Sequence, residues 1–333
     1  MWLKGLLPVM LIFTFLFMAA QWFGLRGQAC NEDLEIASRR TAPDFEWCKP
    51  SKVVPYTGSA ELPAFRIRLG IGSGACSTLL SVFEAAMYAM QQQRRFFLDE
   101  NVTRLKGNRT TWYRHFFQPI GEAFTQPFVD IAYTKDVTRL TRNGTITFRN
   151  QTMRKIDMKR SILRQVWQFQ PSVQQDVCHL VHGLHLHHPY IAMFIRLGDK
   201  LTVEHRVPVP LEDYIDTLLG VSLNGLVRTV FVAMDDCRVL QKLQAAAPMF
   251  KFLSLCDVEF GTGFIMDKDS KRDLEAHFLK FFGELTVMAE ADTLIGDRQS
   301  NVHHWVALMR RISSSNVSLI DVRQHPYMTA EVP

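Results

Sequence analysis

The chain has 333 residues, of which 47% are hydrophobic, and a formal net charge of +5 from 38 basic and 33 acidic side chains. This length and composition suit a globular protein with full hydrophobic cores and exclude a disordered or low-complexity chain. The basic residues are dispersed along the sequence instead of clustered, which argues against a nucleic-acid partner.

The first predicted element is an apolar segment at the amino terminus. Residues 5–24 carry no charge, and about twenty apolar residues can cross a bilayer as one helix. A cleaved signal peptide is the alternative, with Gly27-Gln28-Ala29 as its cleavage site, although such peptides usually have shorter apolar regions. We predict an uncleaved transmembrane anchor with a short cytosolic tail over residues 1–25, followed by a proline-containing stem over residues 26–62.

Glycosylation sequons indicate on which side of the membrane the rest of the chain lies. The asparagines of Asn-x-Ser/Thr sequons are Asn101, Asn108, Asn143, Asn150 and Asn316. Ordinary Ser and Thr usage would place about one asparagine of this chain in such a sequon by chance. The excess predicts N-glycosylation, a lumenal body and a single-pass type II membrane protein.

The cysteines fit an oxidising compartment. An even number of cysteines in the secretory lumen usually forms disulfides, and none of the six cysteines here has zinc-type spacing. Sequence alone does not choose among the pairings. Cys30 with Cys48, across the stem, and Cys237 with Cys256, across a predicted helix, are the two pairs that we expect.

The first folded unit, predicted over residues 63–188, begins with a βαβ pattern. Residues 65–69 alternate as a strand should, a glycine-rich turn follows, and a helix over 76–91 leads to a strand over 95–98. The turn contains Gly72 and Gly74, whose backbone N–H groups are suited to a phosphate or a sugar; tight packing is the alternative reason for glycine there.

A histidine-rich segment closes this unit. His179 and His182 would share a face of a helix, so metal ligation is conceivable, but Gly183 and Pro189 indicate that the helix ends there. We interpret these histidines as surface or loop residues and predict no metal site.

The second unit, predicted over residues 189–333, alternates strands and helices. A buried strand over 191–195 ends at Arg196, and the strand over 229–233 ends at Asp235 and Asp236. The other predicted elements are helices over 210–220, 237–247, 271–291 and 300–311 and strands over 250–255, 293–296 and 318–322. Such alternation predicts a doubly wound parallel sheet, which binds ligands outside the carboxyl ends of its strands. An arginine and carboxylates at that edge suit a nucleotide, although one of the two aspartates could instead cap the next helix.

Several motifs of this chain, in order, resemble those of the α-1,6-fucosyltransferases that act on the N-glycan core. The motifs are Arg196-Leu-Gly-Asp-Lys200 with Glu204 and Tyr214, Phe231-Val-Ala-Met-Asp-Asp236, and Glu284-Leu-Thr-Val-Met-Ala-Glu-Ala-Asp292 with Ser300. Gly70 to Val82 and Trp112 to Pro119 are similar to that family more loosely. The resemblance covers most of residues 65–312; the chain departs from the family at Phe194, Leu197, Glu284 and Gln299.

The resemblance implies two Rossmann-like α/β domains in a GT-B-like arrangement and an inverting, metal-independent transfer of fucose from GDP-fucose to a glycan. It implies that Arg196 binds the leaving diphosphate, that Glu204 is the general base and that Lys200 lies beside it. The donor-binding residues that it implies are Arg196, Asp199, Tyr214, Asp235, Asp236, Glu284 and Ser300, with Gly72 and Gly74 of the glycine-rich turn.

The resemblance also implies a Golgi membrane location and a glycan or glycoprotein acceptor, with α-1,6 linkage to the N-glycan core as the expected product. Three alternatives stay open: another nucleotide-sugar donor, a protein hydroxyl as the acceptor, and a membrane-anchored sugar-binding protein without activity. A homodimer is also kept open.

Overall fold

The computed structural model describes residues 45–49, 58, 60–69, 74–100, 105, 111–120, 128–130, 145–148, 151–197, 207–222, 226–256, 274–313 and 318–323. The predicted anchor in residues 1–25 lies outside this part of the chain. Among the described helices, none is long and apolar enough to cross a membrane.

The described residues form a mixed α/β protein with parallel sheets. Its strands are β1 Ala64–Arg68, β2 Phe96–Asp99, β3 Phe128–Asp130, β4 Thr145–Phe148, β5 Gln151–Arg154, β6 Ile191–Ile195, β7 Thr229–Met234, β8 Lys251–Leu253, β9 Thr293–Gly296 and β10 Ser318–Asp321. Its helices are α1 Ala75–Gln91, α2 Tyr113–Phe116, α3 Lys155–Val166, α4 Pro171–Gly183, α5 Leu211–Val221, α6 Arg238–Ala246, α7 Leu274–Glu290 and α8 Asn301–Ser313, with a 3-10 turn at Glu46–Cys48.

The first sheet is parallel, with strand order β2-β1-β3. In β1, Phe65 and Ile67 are buried while Arg68 is exposed, which is the alternation read from the sequence. Helix α1 then buries one face that includes Leu79, Val82 and Phe83. The strand, helix and strand predicted between residues 65 and 98 are confirmed, while residues 70–73 of the glycine-rich turn lie outside the described part of the chain. The antiparallel pair β4-β5 lies apart from this sheet.

The second sheet has five parallel strands in the order β10-β9-β6-β7-β8. Strand β6 lies at its centre and is buried on both faces, because alternate side chains enter two different hydrophobic clusters. Ile191, Met193 and Ile195 face helices α5 and α6, while Ala192 and Phe194 face α7 and α8. After β6 the chain adds β7 and β8 on one side of that strand, and then β9 and β10 on its other side. The doubly wound prediction is therefore confirmed. Several boundaries differ by one to three residues; Pro210, for example, precedes α5 as its N-cap residue instead of being its first residue.

One hydrophobic cluster joins the two sheets. It contains α1 and β1 of the first half together with α7 and α8 of the second. Aromatic contacts run across it: the ring centroid of Trp167 lies 5.7 Å from that of Trp305 and 5.6 Å from that of Phe282. Trp112 is likewise 5.6 Å from Phe278. Burying such large side chains is worth about 1.5–3 kcal/mol each, so this shared core is a major source of stability.

Among the described residues the disulfides are Cys237–Cys256, as predicted, and Cys48–Cys178. The predicted Cys30–Cys48 pair is wrong, because Cys48 is held over α4. Phe45 and Trp47 are buried in the shared core, and the side chain of Gln174 donates a hydrogen bond to the Cys48 carbonyl at 2.7 Å. A turn within the predicted stem therefore packs on the body. Cys76 is a free, buried thiol.

Candidate functional site

The carboxyl edge of the second sheet brings Arg196 and Asp235 together. Arg196 directly follows β6, and Asp235 directly follows the neighbouring strand β7. The guanidinium Nε of Arg196 lies 3.4 Å from the Asp235 carboxylate, which also accepts a hydrogen bond from the Leu197 backbone N–H at 2.8 Å. The Arg196 side chain is 24% exposed. Asp235 therefore holds the Arg196 guanidinium in place, while solvent or a ligand can still reach the arginine side chain.

Helix α1 begins close to this cation. Burial raises the pKa of the Cys76 thiol far above its ordinary value, and the positive charge of Arg196 opposes this shift. Cys76 is the second residue of α1, in its first turn, two positions after the N-cap residue Gly74. The amino-terminal end of a helix carries unpaired N–H groups and partial positive charge. The positive charge of Arg196 therefore acts on the first turn of α1.

Asp236 has a different role from Asp235. Its carboxylate accepts the Arg238 backbone N–H at 3.1 Å and pairs with the Arg238 guanidinium, with a shortest contact of 2.6 Å. These hydrogen bonds with Arg238 are the main reason why the pKa of Asp236 is lowered. The helix-capping alternative raised for this pair therefore applies to Asp236, while Asp235 faces Arg196.

Ser300 and Tyr214 belong to the protein interior. The Ser300 hydroxyl accepts a hydrogen bond from the Val302 backbone N–H at 3.3 Å, so it caps the start of α8. Tyr214 is only 1% exposed and packs among the apolar residues between the sheet and α5. Burial raises the pKa of Tyr214 far above its usual range, and neighbouring Asp297 adds to this shift.

Glu284 is also buried, within α7. The two departures from the family next to Arg196 are explained by packing. Phe194 enters the shared core, and Leu197 packs against the cluster that covers the opposite face of the sheet.

The structure adds a carboxylate pair and an arginine that the sequence reasoning missed. Asp297 directly follows β9 and Asp321 ends β10, so both lie at the same sheet edge as Arg196. Arg323 binds the two oxygens of Asp297 through Nε and one terminal nitrogen, each at 2.8 Å. The rule that strand carboxyl ends meet at one edge would have found Asp297 and Asp321.

His303 is a further residue that the sequence does not single out. It is 1% exposed, and neither ring nitrogen has a hydrogen-bond partner among the described residues. Burial, and then the neighbouring His304, lower the pKa of His303 to about 4, so the ring is neutral at neutral pH. It lies beneath Gly296, where a Cβ atom would come within 3.1 Å of its Nδ1.

Several predicted site residues lie outside the described residues, and their roles stay predictions. They are Gly72, Asp199, Lys200, Glu204 and the five sequon asparagines. Within the ranges that the structure describes, no group of three or more His, Cys, Asp or Glu side chains could hold a metal ion.

No protein-family model matches the chain, and no curated protein matches it. Among solved structures, the chain is similar to NodZ α-1,6-fucosyltransferase soaked with GDP-fucose, at 12% identity and a TM-score of 0.47, over 78% of this chain and 95% of that one. It is also similar to fucosyltransferase NodZ from Bradyrhizobium, at 13% identity and a TM-score of 0.46, over 79% and 97%. For POFUT1 in complex with GDP the identity is 11% and the TM-score 0.44, over 77% and 98%. All three TM-scores are below 0.5.

Proposed function

We propose that this protein is a fucosyltransferase that transfers fucose from GDP-fucose to a sugar hydroxyl with inversion. The observation that carries the proposal is the placement of Arg196, held by Asp235 at the carboxyl edge of the second sheet and close to the start of α1. A departing diphosphate needs positive charge at a fixed place. The ordered motifs from Arg196 to Ser300 that resemble the α-1,6-fucosyltransferases supply the identity of the nucleotide sugar.

In this proposal Arg196 binds the β-phosphate of the leaving GDP. Asp235 holds the Arg196 guanidinium in place at the end of β6. Glu204 removes the proton from the attacking hydroxyl as general base, and Lys200 lies beside it. The charge on the leaving group is then stabilised by the arginine and by the amino-terminal end of α1, so the reaction needs no metal ion. The acceptor we propose is a glycan in the secretory pathway, with the core GlcNAc of N-glycans as the first substrate to test.

A direct test compares the full chain with its Glu204→Gln variant. GDP-fucose would be supplied with a panel of N-glycans, oligosaccharides and peptides, and both GDP release and fucosylated product would be measured. Removing a general base lowers turnover by a factor of about 10² to 10⁴. The matched control is Glu212→Gln, which removes an exposed carboxylate in the first turn of α5 and should leave turnover unchanged.

The outcomes separate the alternatives. Transfer from another nucleotide sugar would replace GDP-fucose as the donor, and transfer to a peptide hydroxyl would replace the glycan acceptor. Binding of GDP without turnover on any acceptor would indicate a sugar-nucleotide-binding protein and contradict the enzyme proposal. The membrane anchor, the Golgi location and the homodimer are predictions from the sequence that need separate measurements.

A further inference from the structure

The segment that contains Lys200 and Glu204 runs from Leu197 to Val207, and the structure describes both of its ends. At the first end, the Leu197 backbone N–H donates to the Asp235 carboxylate at 2.8 Å. The Leu197 side chain also packs against the hydrophobic cluster beneath the sheet. This end is therefore fixed to the carboxyl ends of β6 and β7.

The second end is fixed by Arg323, which follows β10. One terminal nitrogen of Arg323 donates to the Val207 carbonyl at 2.9 Å, although the Val207 side chain is 75% exposed. The same guanidinium binds both oxygens of Asp297. Asp297 is itself anchored, because it accepts the Gln299 backbone N–H at 2.9 Å. The carbonyl of an exposed residue is thus tied to the sheet by a guanidinium that two hydrogen bonds fix to Asp297.

The backbone around Arg323 is also held in place. Its own N–H donates to the Asp321 carboxylate at 3.1 Å, and the N–H of the preceding residue, Val322, donates to the Gly296 carbonyl at the end of β9 at 3.2 Å. Asp321 is 4% exposed. Such support from the ends of two adjacent strands restricts the position of the guanidinium, so that a small displacement of Val207 would break its hydrogen bond.

We propose that Arg323, fixed by Asp297, is a positioning residue for the transfer: it sets the place of Val207 and, through it, the end of the segment that carries Glu204 and Lys200. This inference rests on the proposed function, and Arg323 acts without touching either substrate. An arginine is required because only its planar fork donates two parallel hydrogen bonds to a carboxylate and a further one to a carbonyl. Lysine keeps the charge but cannot make all three.

The test is Arg323→Lys in the full chain, with two measurements. The first is steady-state transfer, in which we expect kcat to fall about 10- to 100-fold, the cost of a misplaced catalytic group, while the KM for GDP-fucose changes less than about twofold. The second is amide hydrogen exchange of peptides that span Val207 and the start of α5, which should become severalfold faster. Asp297→Asn should have the same effects, and the double variant should be no worse than either single one.

The matched control is Arg164→Lys, which alters another arginine–carboxylate pair, 2.9 Å from Glu46, on a different part of the surface. It should leave kcat and the exchange near Val207 unchanged. Unaltered exchange near Val207 in Arg323→Lys would overturn the inference whether or not the protein is active. An equal loss of kcat and of GDP affinity would also overturn it, since that pattern indicates general damage. An inactive wild-type protein would instead contradict the proposed function, and the exchange measurement would still decide whether Arg323 holds Val207.

Discussion

The carboxylate of Asp235 lies 3.4 Å from the guanidinium of Arg196, across the carboxyl ends of two adjacent parallel strands. The pairing joins residues that are far apart in sequence and leaves the arginine partly exposed. It therefore holds a positive charge in place while 24% of the arginine side chain stays exposed.

If Arg196 binds the diphosphate, Arg196→Gln should weaken the binding of GDP by about 10- to 100-fold, because a hydrogen bond to a charged group contributes about 1.5–3 kcal/mol. Isothermal titration with GDP measures this change. Arg228→Gln is the control: it removes an exposed arginine at the opposite edge of the same sheet, directly before β7. Equal affinities of the Arg196 variant and the wild type would remove Arg196 from the nucleotide site.

Glu290, at the end of α7, should make stability depend on pH. Burial and the nearby Glu46 raise its pKa to about 7 from an ordinary value of 4.5. The folded state therefore binds this proton more tightly than the unfolded state, and the free energy of unfolding should fall as pH rises from about 4.5 to 7.

Glu290→Gln keeps an acceptor oxygen but removes the charge, so it should flatten this dependence and gain about 1–3 kcal/mol relative to the wild type at pH 8. Urea unfolding at pH 5 and pH 8 measures both values. Glu212→Gln, on the exposed face of α5, should leave the wild-type pH dependence in place. A Glu290 variant with the same slope as the wild type would contradict the prediction.

Arg310 is the buried cation whose loss should be most costly. Its guanidinium donates to the Met288 carbonyl at 2.9 Å and to the Ser318 carbonyl at 3.3 Å, so it ties the end of α7 to the start of β10. Arg310→Met leaves buried carbonyls unpaired and should lower the free energy of unfolding by about 3–5 kcal/mol.

Arg68→Met provides the comparison for this loss. Arg68 is 57% exposed and makes one 3.4 Å contact with Asp99, so its removal should cost at most about 1 kcal/mol. Chemical denaturation of the two variants distinguishes them. Similar costs would show that the Arg310 hydrogen bonds contribute little to stability.

The two disulfides should differ in their effect on stability. Cys48–Cys178 closes a loop of 130 residues and Cys237–Cys256 one of 19. In the loop-entropy description the longer loop contributes about 1.5–2 kcal/mol more. Replacing each pair with serines and comparing unfolding midpoints tests this ordering. Peptide mapping without reduction should recover a Cys48–Cys178 crosslink; recovery of Cys30 joined to Cys48 would contradict the structure.

The second sheet could be predicted closely because its signals are local. An apolar run that ends sharply at Arg196 predicts β6 over residues 191–195, which are its observed bounds. Strand β9 was also placed at its observed bounds. A buried parallel strand appears in the sequence as a short apolar run, which can be recognised without knowing which strands lie beside it.

Two features could not be predicted in this way. They are the disulfide partner of Cys48 and the different roles of Asp235 and Asp236. The Cys48–Cys178 pair depends on Phe45 and Trp47 packing into a core assembled from distant segments. Asp235 and Asp236 are adjacent in sequence, and their roles differ because one meets Arg238 locally while the other meets Arg196 across the sheet. Distant contacts decide both cases.

The contact between Trp167 and Trp305 belongs to a core that both sheets share. Protein halves with independent cores can denature one after the other, whereas a continuous core couples their melting. We therefore expect calorimetry to show a single endotherm whose calorimetric and van't Hoff enthalpies agree. It also follows that the halves cannot swing widely apart without exposing tryptophan and phenylalanine rings to water.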